Sequence, residues 1–394
     1  MSRSKIILKS GKDQSLRRYH PWVFSGAIKK TYGPLTEGDL VDVEDNKGNF
    51  LGTGHYQPGS IAVRIISFEP VEPDEAFWRN RLEQARALRQ TSGLADAPDI
   101  NVYRLVYGEG DLLPGLIIDY YNGMAVMQFH SAGMYRLRET LVSILKDIYG
   151  DKLTGIYDKS ENTLPFKADI EPKNGWLYGE AKEGEVTEYG NRFLVNWVQG
   201  QKTGFFIDQR ENRRLVGGLA RDKKVLNLFG YTGGFSVYAL RGGATQVHTV
   251  DSSGHAIRLS RANVELNFGK EAPHKGIVSD AFKYLETTET EYDLIILDPP
   301  AFAKHNKVLH NALQGYKRLN EIAFRKIRPG GIIATFSCSQ VVSREKFRQS
   351  IFVAAANAGR SVRILYQLTQ PVDHPVSLFH PEGEYLKGLV LKVD

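Results

Sequence analysis

The sequence predicts an α/β protein: a seven-stranded, mostly parallel sheet preceded by a small β-rich domain and a central α+β domain. Three observations carry that prediction. From about Gly200 onward, apolar strand segments alternate with helix-length segments, as in a parallel sheet with helices on its faces. Val225-Leu226-Asn227-Leu228-Phe229 runs into Gly230-Tyr231-Thr232-Gly233-Gly234 and then a helix, the strand–turn–helix unit of a nucleotide-type crevice. The first 69 residues show short alternating strands instead. At 394 residues the chain exceeds one ordinary domain, and the expected divisions are 1–69, 74–185 and 186–394.

Hydrophobic residues make up 42% and charged residues 24%, which excludes a disordered or fibrous chain. A net charge of +6 and a pI near 9.1 suit a polyanionic partner without the charge density of a histone-like tail. Cys338 is the only cysteine, so an intrachain disulfide and a cysteine-cluster zinc site are both excluded. Residues 1–13 hold one apolar run, Ile6-Ile7-Leu8, too short for a signal-peptide core. No window nears the roughly 18 apolar residues of a membrane span. A cytoplasmic protein without a membrane partner is expected.

In the first domain Leu40 to Asp45 alternates, Asn46-Lys47-Gly48 turns, and Phe50–Gly54 and Ile61–Ile66 continue as strands. Ahead of them Arg3, Lys5, Lys9, Lys12, Arg17, Arg18, Lys29 and Lys30 stand against one acid, Asp13, with Tyr19, Trp22 and Phe24 interleaved. Basic residues among aromatics suit phosphate contact with base stacking, which marks Arg17, Arg18 and Trp22. A solvated basic surface over a core containing Trp22 and Phe24 explains the same residues equally well.

Glu69-Pro70-Val71-Glu72-Pro73 reads as a linker. Trp78, Leu82, Ala85 and Leu88 recur at helical spacing, as do Leu137, Leu141, Ile144, Leu145 and Ile148. Asn122-Gly123 is the favoured hairpin turn between two apolar strands, and a second hairpin is expected to turn at Gly190-Asn191. No chemistry is visible in this middle region. Beyond it the strand candidates are Val225–Phe229, Val247–Asp251, Gly276–Ser279, Leu294–Asp298, Ile332–Ser337, Val362–Gln367 and Gly388–Val393. Helices such as Ala256–Leu266 and Arg344–Ala356 fall between them. Leu368 to Lys387, rich in Pro, His and Gly, is no helix, so the last two strands should pair antiparallel at the sheet's edge.

The turn after Val225–Phe229 departs from G-x-G-x-x-G. A pyrophosphate needs a tight loop over a helix N-terminus, whereas this looser turn suits a ligand without phosphate. Asp251 ends the second strand about 20 residues on, where an acid can grip a ribose diol. Asp280 ends the third, a natural partner for an adenine amino group. The ordered set describes adenosine without phosphate, with S-adenosylmethionine as the candidate. Taken singly, each feature has a plainer explanation, since glycines make turns and terminal Asp residues cap helices.

The fourth strand ends Asp298-Pro299-Pro300-Ala301-Phe302. Two prolines end the strand and stiffen it, holding Asp298 and Phe302 where a carboxylate and an aromatic face can clamp a flat base. Cys338 ends the fifth strand. A lone cysteine is commonly a small buried hydrophobe, but this one stands on the ligand side of a doubly wound sheet, next to the Asp298 loop. Carbon-5 of cytosine is a poor nucleophile. A thiolate added at carbon-6 turns the ring into an enamine whose carbon-5 can attack a sulfonium methyl, after which a base removes the carbon-5 proton and the thiol departs. That route needs a nucleophilic thiol and an acid near N3, a role open to Asp298.

Arg18-Tyr19-His20-Pro21-Trp22-Val23-Phe24-Ser25-Gly26-Ala27, Leu113-Pro114-Gly115-Leu116-Ile117-Ile118-Asp119 and Lys202-Thr203-Gly204-Phe205-Phe206-Ile207-Asp208-Gln209-Arg210 precede these blocks. Gly315-Tyr316-Lys317, Phe336 to Ser339, Asp373-His374-Pro375 and Pro381-Glu382-Gly383 complete the series. In that order, over essentially the whole length, the chain resembles the bacterial ribosomal RNA large-subunit 5-methylcytosine methyltransferases. The resemblance implies an N-terminal PUA RNA-binding domain, a class I (Rossmann-like) methyltransferase domain using S-adenosylmethionine, and 23S ribosomal RNA as partner. Carried over residue by residue, it implies that Phe229, Gly230 and Gly233 hold the methionine end of the cofactor, Asp251 the ribose and Asp280 the adenine. Thr232, Ser252 and Ala281 belong to the same cofactor-binding set. Lys202, Phe206 and Arg210, from a segment that closes over the cofactor, and Asp298 join that set. Cys338 becomes the nucleophile with Asp298 beside it, and Pro299 and Phe302 join Arg17, Arg18 and Trp22 as substrate RNA contacts.

Two positions depart from the family pattern. Ala301 stands where many RNA 5-methylcytosine enzymes carry a second cysteine that helps release product, so the acceptor of the carbon-5 proton is open. Asp111-Leu112 stands where Asp-Gly is expected. Other readings keep part of this chemistry: methylation of a guanine at N7 or the exocyclic amine needs no cysteine, and an RNA-binding assembly factor needs no catalysis at all. The intact glycine turn and both acids stand against the latter. A nicotinamide oxidoreductase lacks its dinucleotide loop. His305 and His310, five apart, do not stack on one helix face as zinc ligands.

Overall fold

The computed structural model describes residues 3–164, 170–181, 183–303 and 305–394. It divides into two units: Met1–Thr187 with Val195–Ile207 and Val372–Gly383, and Glu188–Leu194 with Asp208–Pro371 and Glu384–Asp394.

The first unit opens with β1 (Ser4–Leu8), α1 (Gln14–Arg17), β2 (Trp22–Phe24), β3 (Ile28–Tyr32), β4 (Leu40–Glu44), β5 (Phe50–Tyr56) and β6 (Ile61–Ser67). The strands form one sheet in the order β2-β6-β5-β4-β1-β3. Alternation builds β4, where Val41 and Val43 are buried between half-buried neighbours. β1 lies inside the sheet, pairing with β3 and β4, and breaks alternation: Ile6 and Leu8 join the core while Ile7 is buried as well. The core holds Val23, Val63 and Ile65 but neither aromatic neighbour of Val23: Trp22 is half-buried and Phe24 is exposed.

A second sheet follows. α2 (Glu75–Thr91) starts at Asp74, whose carboxylate accepts from the Phe77 amide. β7 (Val102–Tyr107), β8 (Leu116–Tyr121), β9 (Met124–Phe129), α3 (Ala132–Arg136), α4 (Arg138–Tyr149), β10 (Gly155–Asp158) and β11 (Gly175–Tyr178) complete it in the order β11-β10-β9-β8-β7. The Asn122-Gly123 turn has the expected left-handed pair of φ angles, 46° and 94°. The stripe of α2 differs from the expected one: Leu88 is exposed and Arg89 is buried. Arg89 lies inside because its guanidinium is fully used, on Asp111 and on the carbonyl oxygens of Ala85, Arg104 and Asp373. Likewise Tyr149, rather than Ile148, is the last buried residue of α4.

Between β12 (Gly184–Glu188) and β13 (Asn191–Val195) the turn is Tyr189-Gly190, φ 49° and 72°, one residue earlier than expected. Asn191 is held in the strand, its amide nitrogen donating to the Glu188 carbonyl at 3.3 Å.

The second unit carries α5 (Arg210–Gly218), β14 (Lys224–Leu228), α6 (Gly234–Arg241), β15 (Gln246–Asp251), α7 (Gly254–Phe268), β16 (His274–Val278), α8 (Ala281–Thr287), β17 (Tyr292–Leu297), α9 (Leu309–Lys326), β18 (Ile327–Ser337), α10 (Arg344–Ala358), β19 (Val362–Thr369) and β20 (Lys387–Val393). Its sheet runs β16-β15-β14-β17-β18-β20-β19. The pairs from β16 to β18 are parallel, and β20 is antiparallel to both of its neighbours. The period of two divides each strand between two cores. Ile295 and Leu297 pack with α9 and α10 residues such as Leu319 and Phe347, while Leu294 and Ile296 pack with Val216 of α5 and Phe235 of α6. Among the described residues no helix is long and apolar enough to cross a membrane.

Candidate active site

The residues singled out in the second unit gather at the carboxyl ends of its parallel strands, the end where doubly wound sheets bind ligands. Phe229, the first residue past β14, and Tyr231 hold left-handed φ angles of 56° and 45°. For bulky residues this is strained backbone, and Asp251 holds it in place. One Asp251 oxygen accepts from the Tyr231 amide at 3.0 Å, the other from the Ser253 amide at 2.9 Å. Gly233 is required at φ 79°, since a Cβ there would stand 2.4 Å from Ser260 Oγ. Gly230 admits no side chain either, with Thr249 Cγ2 2.3 Å from the Cβ position. Thr232 is buried, and its carbonyl oxygen accepts from Asn263.

Beneath this turn runs a polar chain. Asn227 Nδ2 donates to Ser236 Oγ at 2.9 Å, which pairs with Thr249 Oγ1 at 2.6 Å. Asn227 is 1% exposed, yet its Oδ1 finds no hydrogen-bond partner among the described residues. A bare cradle, a strained turn and an unpartnered acceptor fit an uncharged adenosine-type ligand. Asp280 caps α8, its carboxylate accepting from the Lys283 amide at 2.8 Å, with Ala281 buried behind it. Ser252 is exposed beside Asp251.

Asp298 follows β17 directly, half-buried, and Oδ1 accepts from Gln209 Nε2 at 2.9 Å. Gln209 is in turn oriented by Asn212, which donates to its oxygen at 2.6 Å. Arg210 is fully buried at the start of α5. Pro299 is buried, and the Phe302 ring lies 4.7 Å from that of Tyr316. Cys338 is half-buried at the end of β18. Its preceding residue, Ser337, donates its hydroxyl to Tyr316 Oη at 2.9 Å. Burial pushes the Tyr316 phenol up to about 12, and the nearby Cys338 and Asp298 add to the rise. The turn after Cys338 is pinned from two sides. Ser339 Oγ donates to the Ala303 carbonyl at 2.6 Å, and the Lys387 ammonium donates to the carbonyls of Ser339 and Val342, each at 2.6 Å. Burial lowers the Lys387 ammonium to about 8, against the opposing pull of Cys338.

The remaining candidates lie in the first unit. Lys202 Nζ stands 4.6 Å from the Phe206 ring centroid. Arg17 is exposed but engaged by Asp13 and by Asp45 at 2.7 Å, and Arg18 is exposed. Trp22 donates its indole N–H to Glu109 at 2.7 Å, with the His380 ring 4.4 Å away. Much of the basic opening is neutralised locally, since Arg3 pairs with Asp42 and Lys5 with Glu44.

Sequence reasoning passed over Gln209, Tyr316 and Lys387 as individual groups. Lys387 had a signal: one lysine heading an otherwise apolar strand, Gly388-Leu389-Val390-Leu391. The Asp373-His374-Pro375 segment proves to be an anchor within the first unit. Asp373 accepts from the Arg104 amide at 3.0 Å, and a side chain on Gly110 would collide with the Pro375 carbonyl, 1.8 Å from the Cβ position.

The sequence profile of an S-adenosylmethionine-dependent methyltransferase family matches residues 158–376, and that of a PUA-like domain matches residues 6–68. The ribosomal RNA large subunit methyltransferase I of Escherichia coli O127:H6 is 39% identical over 396 residues, covering 99% of each chain. Two solved structures cover 98% of this chain and 99% of their own at 26% identity. One is described as a SAM-dependent methyltransferase from Streptococcus mutans, with a TM-score of 0.83, and the other as a methyltransferase complexed with SAH, with a TM-score of 0.85.

Proposed function

Since the chain belongs to the S-adenosylmethionine-dependent methyltransferases, in the family of the ribosomal RNA large subunit methyltransferase I proteins, we propose that it methylates carbon-5 of an unpaired cytosine in 23S ribosomal RNA through a covalent bond to Cys338. The observation that carries this reading is the position of the chain's one thiol, at the ligand end of β18 and close enough to Tyr316, with Asp298, for both to perturb the phenol. A guanine methyltransferase needs no thiol there.

The cofactor, when bound, supplies an electrophilic methyl on a sulfonium. Asp251, the Phe229–Gly233 turn and Asp280 are the residues that would hold it. Cys338 Sγ bonds to carbon-6 of the base while N3 takes a proton from Asp298, leaving an enamine. Carbon-5 then forms its bond to the methyl as the carbon–sulfonium bond breaks. Loss of the carbon-5 proton to a base re-forms the ring double bond, the Cys338–carbon-6 bond breaks, and N3 returns its proton. Gln209 fixes Asp298, and Lys387 with Ser339 fixes the turn carrying the thiol. The target must be flipped or unpaired to reach it, and the basic PUA-like domain positions the RNA through phosphates, with affinity that falls steeply with salt. The protein works in the cytoplasm, where ribosomal RNA is assembled.

The test is methyl transfer from labelled S-adenosylmethionine to unmodified large-subunit RNA, with nucleoside analysis, for the wild type and Cys338→Ala. Label in 5-methylcytosine that vanishes with the thiol is expected. Label in methylguanine, or activity indifferent to Cys338, overturns the cytosine assignment. RNA binding without transfer would point to an assembly factor.

A further inference from the structure

Within the first unit, Tyr19, Phe68 and Phe379 surround a cavity of about 230 Å³ that is also lined by Leu112, Arg81 and Glu109. The Tyr19 ring lies 5.3 Å from that of Phe68, edge-on, and 5.3 Å from that of Phe379, tilted. The fold does not close this box: Tyr19 is 54% and Phe379 49% exposed. The volume is below the roughly 300–1,000 Å³ of pockets for drug-sized ligands and suits one planar base.

Two further features mark the cavity as built for a ligand. Tyr19 and Leu112 both hold left-handed backbone, φ 62° and 58°, where large side chains are uncommon. Strain of this kind gathers at binding sites, and both strained side chains line the same cavity. Arg81 is the second feature. Half-buried, it meets no carboxylate among the described residues; it has a long bond to the Ile66 carbonyl, 3.4 Å, and the Phe77 ring 5.2 Å away. Burial lowers its pKa without a counter-charge, so an anion brought to this wall is stabilised. Glu109, by contrast, already accepts from Trp22, with Arg64 at 3.9 Å from the same oxygen.

We propose that this cavity binds one unpaired nucleotide of the substrate RNA, its base stacked on Tyr19 and Phe379 and its phosphate on Arg81. The proposal rests on the RNA reading above, but its residues belong to the first unit whereas Cys338 belongs to the second. The site anchors the RNA; it is not where the methyl is transferred. Stacking tolerates any base, so shape and single-strandedness of the RNA decide what enters.

Binding of a labelled large-subunit RNA transcript tests it, with Tyr19→Asn, Phe379→Ser and Arg81→Gln in the full chain. Asparagine tolerates the left-handed turn, so loss of the ring is separated from loss of fold. Each aromatic variant is expected to bind RNA about 5- to 100-fold more weakly, and Arg81→Gln to lower the salt slope by about one. S-adenosylmethionine affinity and melting temperature should stay at wild-type values. RNA affinities within twofold of wild type in all three variants overturn the proposal while leaving the methyltransferase reading intact. Loss confined to RNA–protein particles, with naked RNA unaffected, assigns the cavity to a protein and overturns it as well. A wild type that does not bind RNA at all overturns both readings.

Discussion

Lys387 lies directly opposite Ser337 in the β18–β20 ladder, one position ahead of Cys338. From there its ammonium reaches around the turn that carries the thiol. A cation so placed favours thiolate over thiol. Because Cys338 is the chain's one cysteine, alkylation by iodoacetamide reads that group alone. Lys387→Met is expected to raise the midpoint of the alkylation pH profile, the counterpart of the pull that Cys338 exerts on the ammonium. An unmoved midpoint would separate the lysine from the thiol and leave it a purely structural tether.

The Phe229–Gly233 turn makes a sharper demand on Asp251, because both of its oxygens are committed to main-chain amides. Asp251→Ala leaves Tyr231 without the bond that holds its left-handed φ. The expected loss of S-adenosylmethionine affinity is about 10- to 100-fold, the range for hydrogen bonds to a charged group. Cys338→Ala should change that affinity by less than twofold. Calorimetric titration of the two variants separates holding the cofactor from using it.

Arg89 and Asp111 form an ion pair with no exposed surface on the arginine. Breaking such a pair from one side strands a buried charge, at roughly 3–5 kcal/mol. Asp111→Ala is therefore expected to lower the unfolding free energy of the first unit, read from urea denaturation, by that much while cofactor affinity is unchanged. Leu112→Gly, which relieves the left-handed residue next door, should stabilise by about 1 kcal/mol. A neutral Asp111→Ala would show that the guanidinium is satisfied by carbonyl oxygens alone.

His55, His130 and His274 are each held down to about 4 by burial. Unfolded, they take protons near 6.5, so between pH 6.5 and 4 the unfolded chain binds more protons than the folded one. Their contribution is complete above pH 6.5 and is lost as pH falls through that window. His55 stacks against Trp78, centroids 6.0 Å apart, a site an apolar side chain can fill. His55→Leu should flatten the fall of the melting temperature between pH 6.5 and 4, and an unchanged slope would exclude it as an acid-sensitive group.

The parallel sheet was legible because Leu294 to Leu297 is apolar at every position and its neighbours β14 and β18 nearly so, interrupted by Asn227 and Thr335, as strands covered on both faces tend to be. The Phe229–Gly233 turn was legible as a strand–turn–helix unit because its glycines and Asp251 stand in order at strand ends. What escaped was set by partners distant in sequence. Nothing near Arg89 foretells that Asp111 and the carbonyl of Asp373 will draw it inside in place of Leu88. β1 and β3 carry lysines, and only their pairing to each other, with β4 on the far side of β1, makes them strands. Lys387 resembles a strand's solvent-side end until the turn after β18 supplies the carbonyl oxygens of Ser339 and Val342 that it caps. Legibility ended where a polar side chain's burial depends on a long-range acceptor.

The strap that carries Asp373 and Phe379 lies 284 residues downstream of Arg89, to which Asp373 is bonded. At about 5–20 residues per second, a ribosome makes that arginine roughly 15–60 s before its last partner. The N-terminal sheets therefore wait, with Arg89 unsealed and the Tyr19 cavity lacking its Phe379 wall, until nearly all the catalytic sheet has been made. Synthesis order thus acts as a clock: the Tyr19 cavity has no finished wall before β17 and β18, which lead into Asp298 and Cys338, have been made.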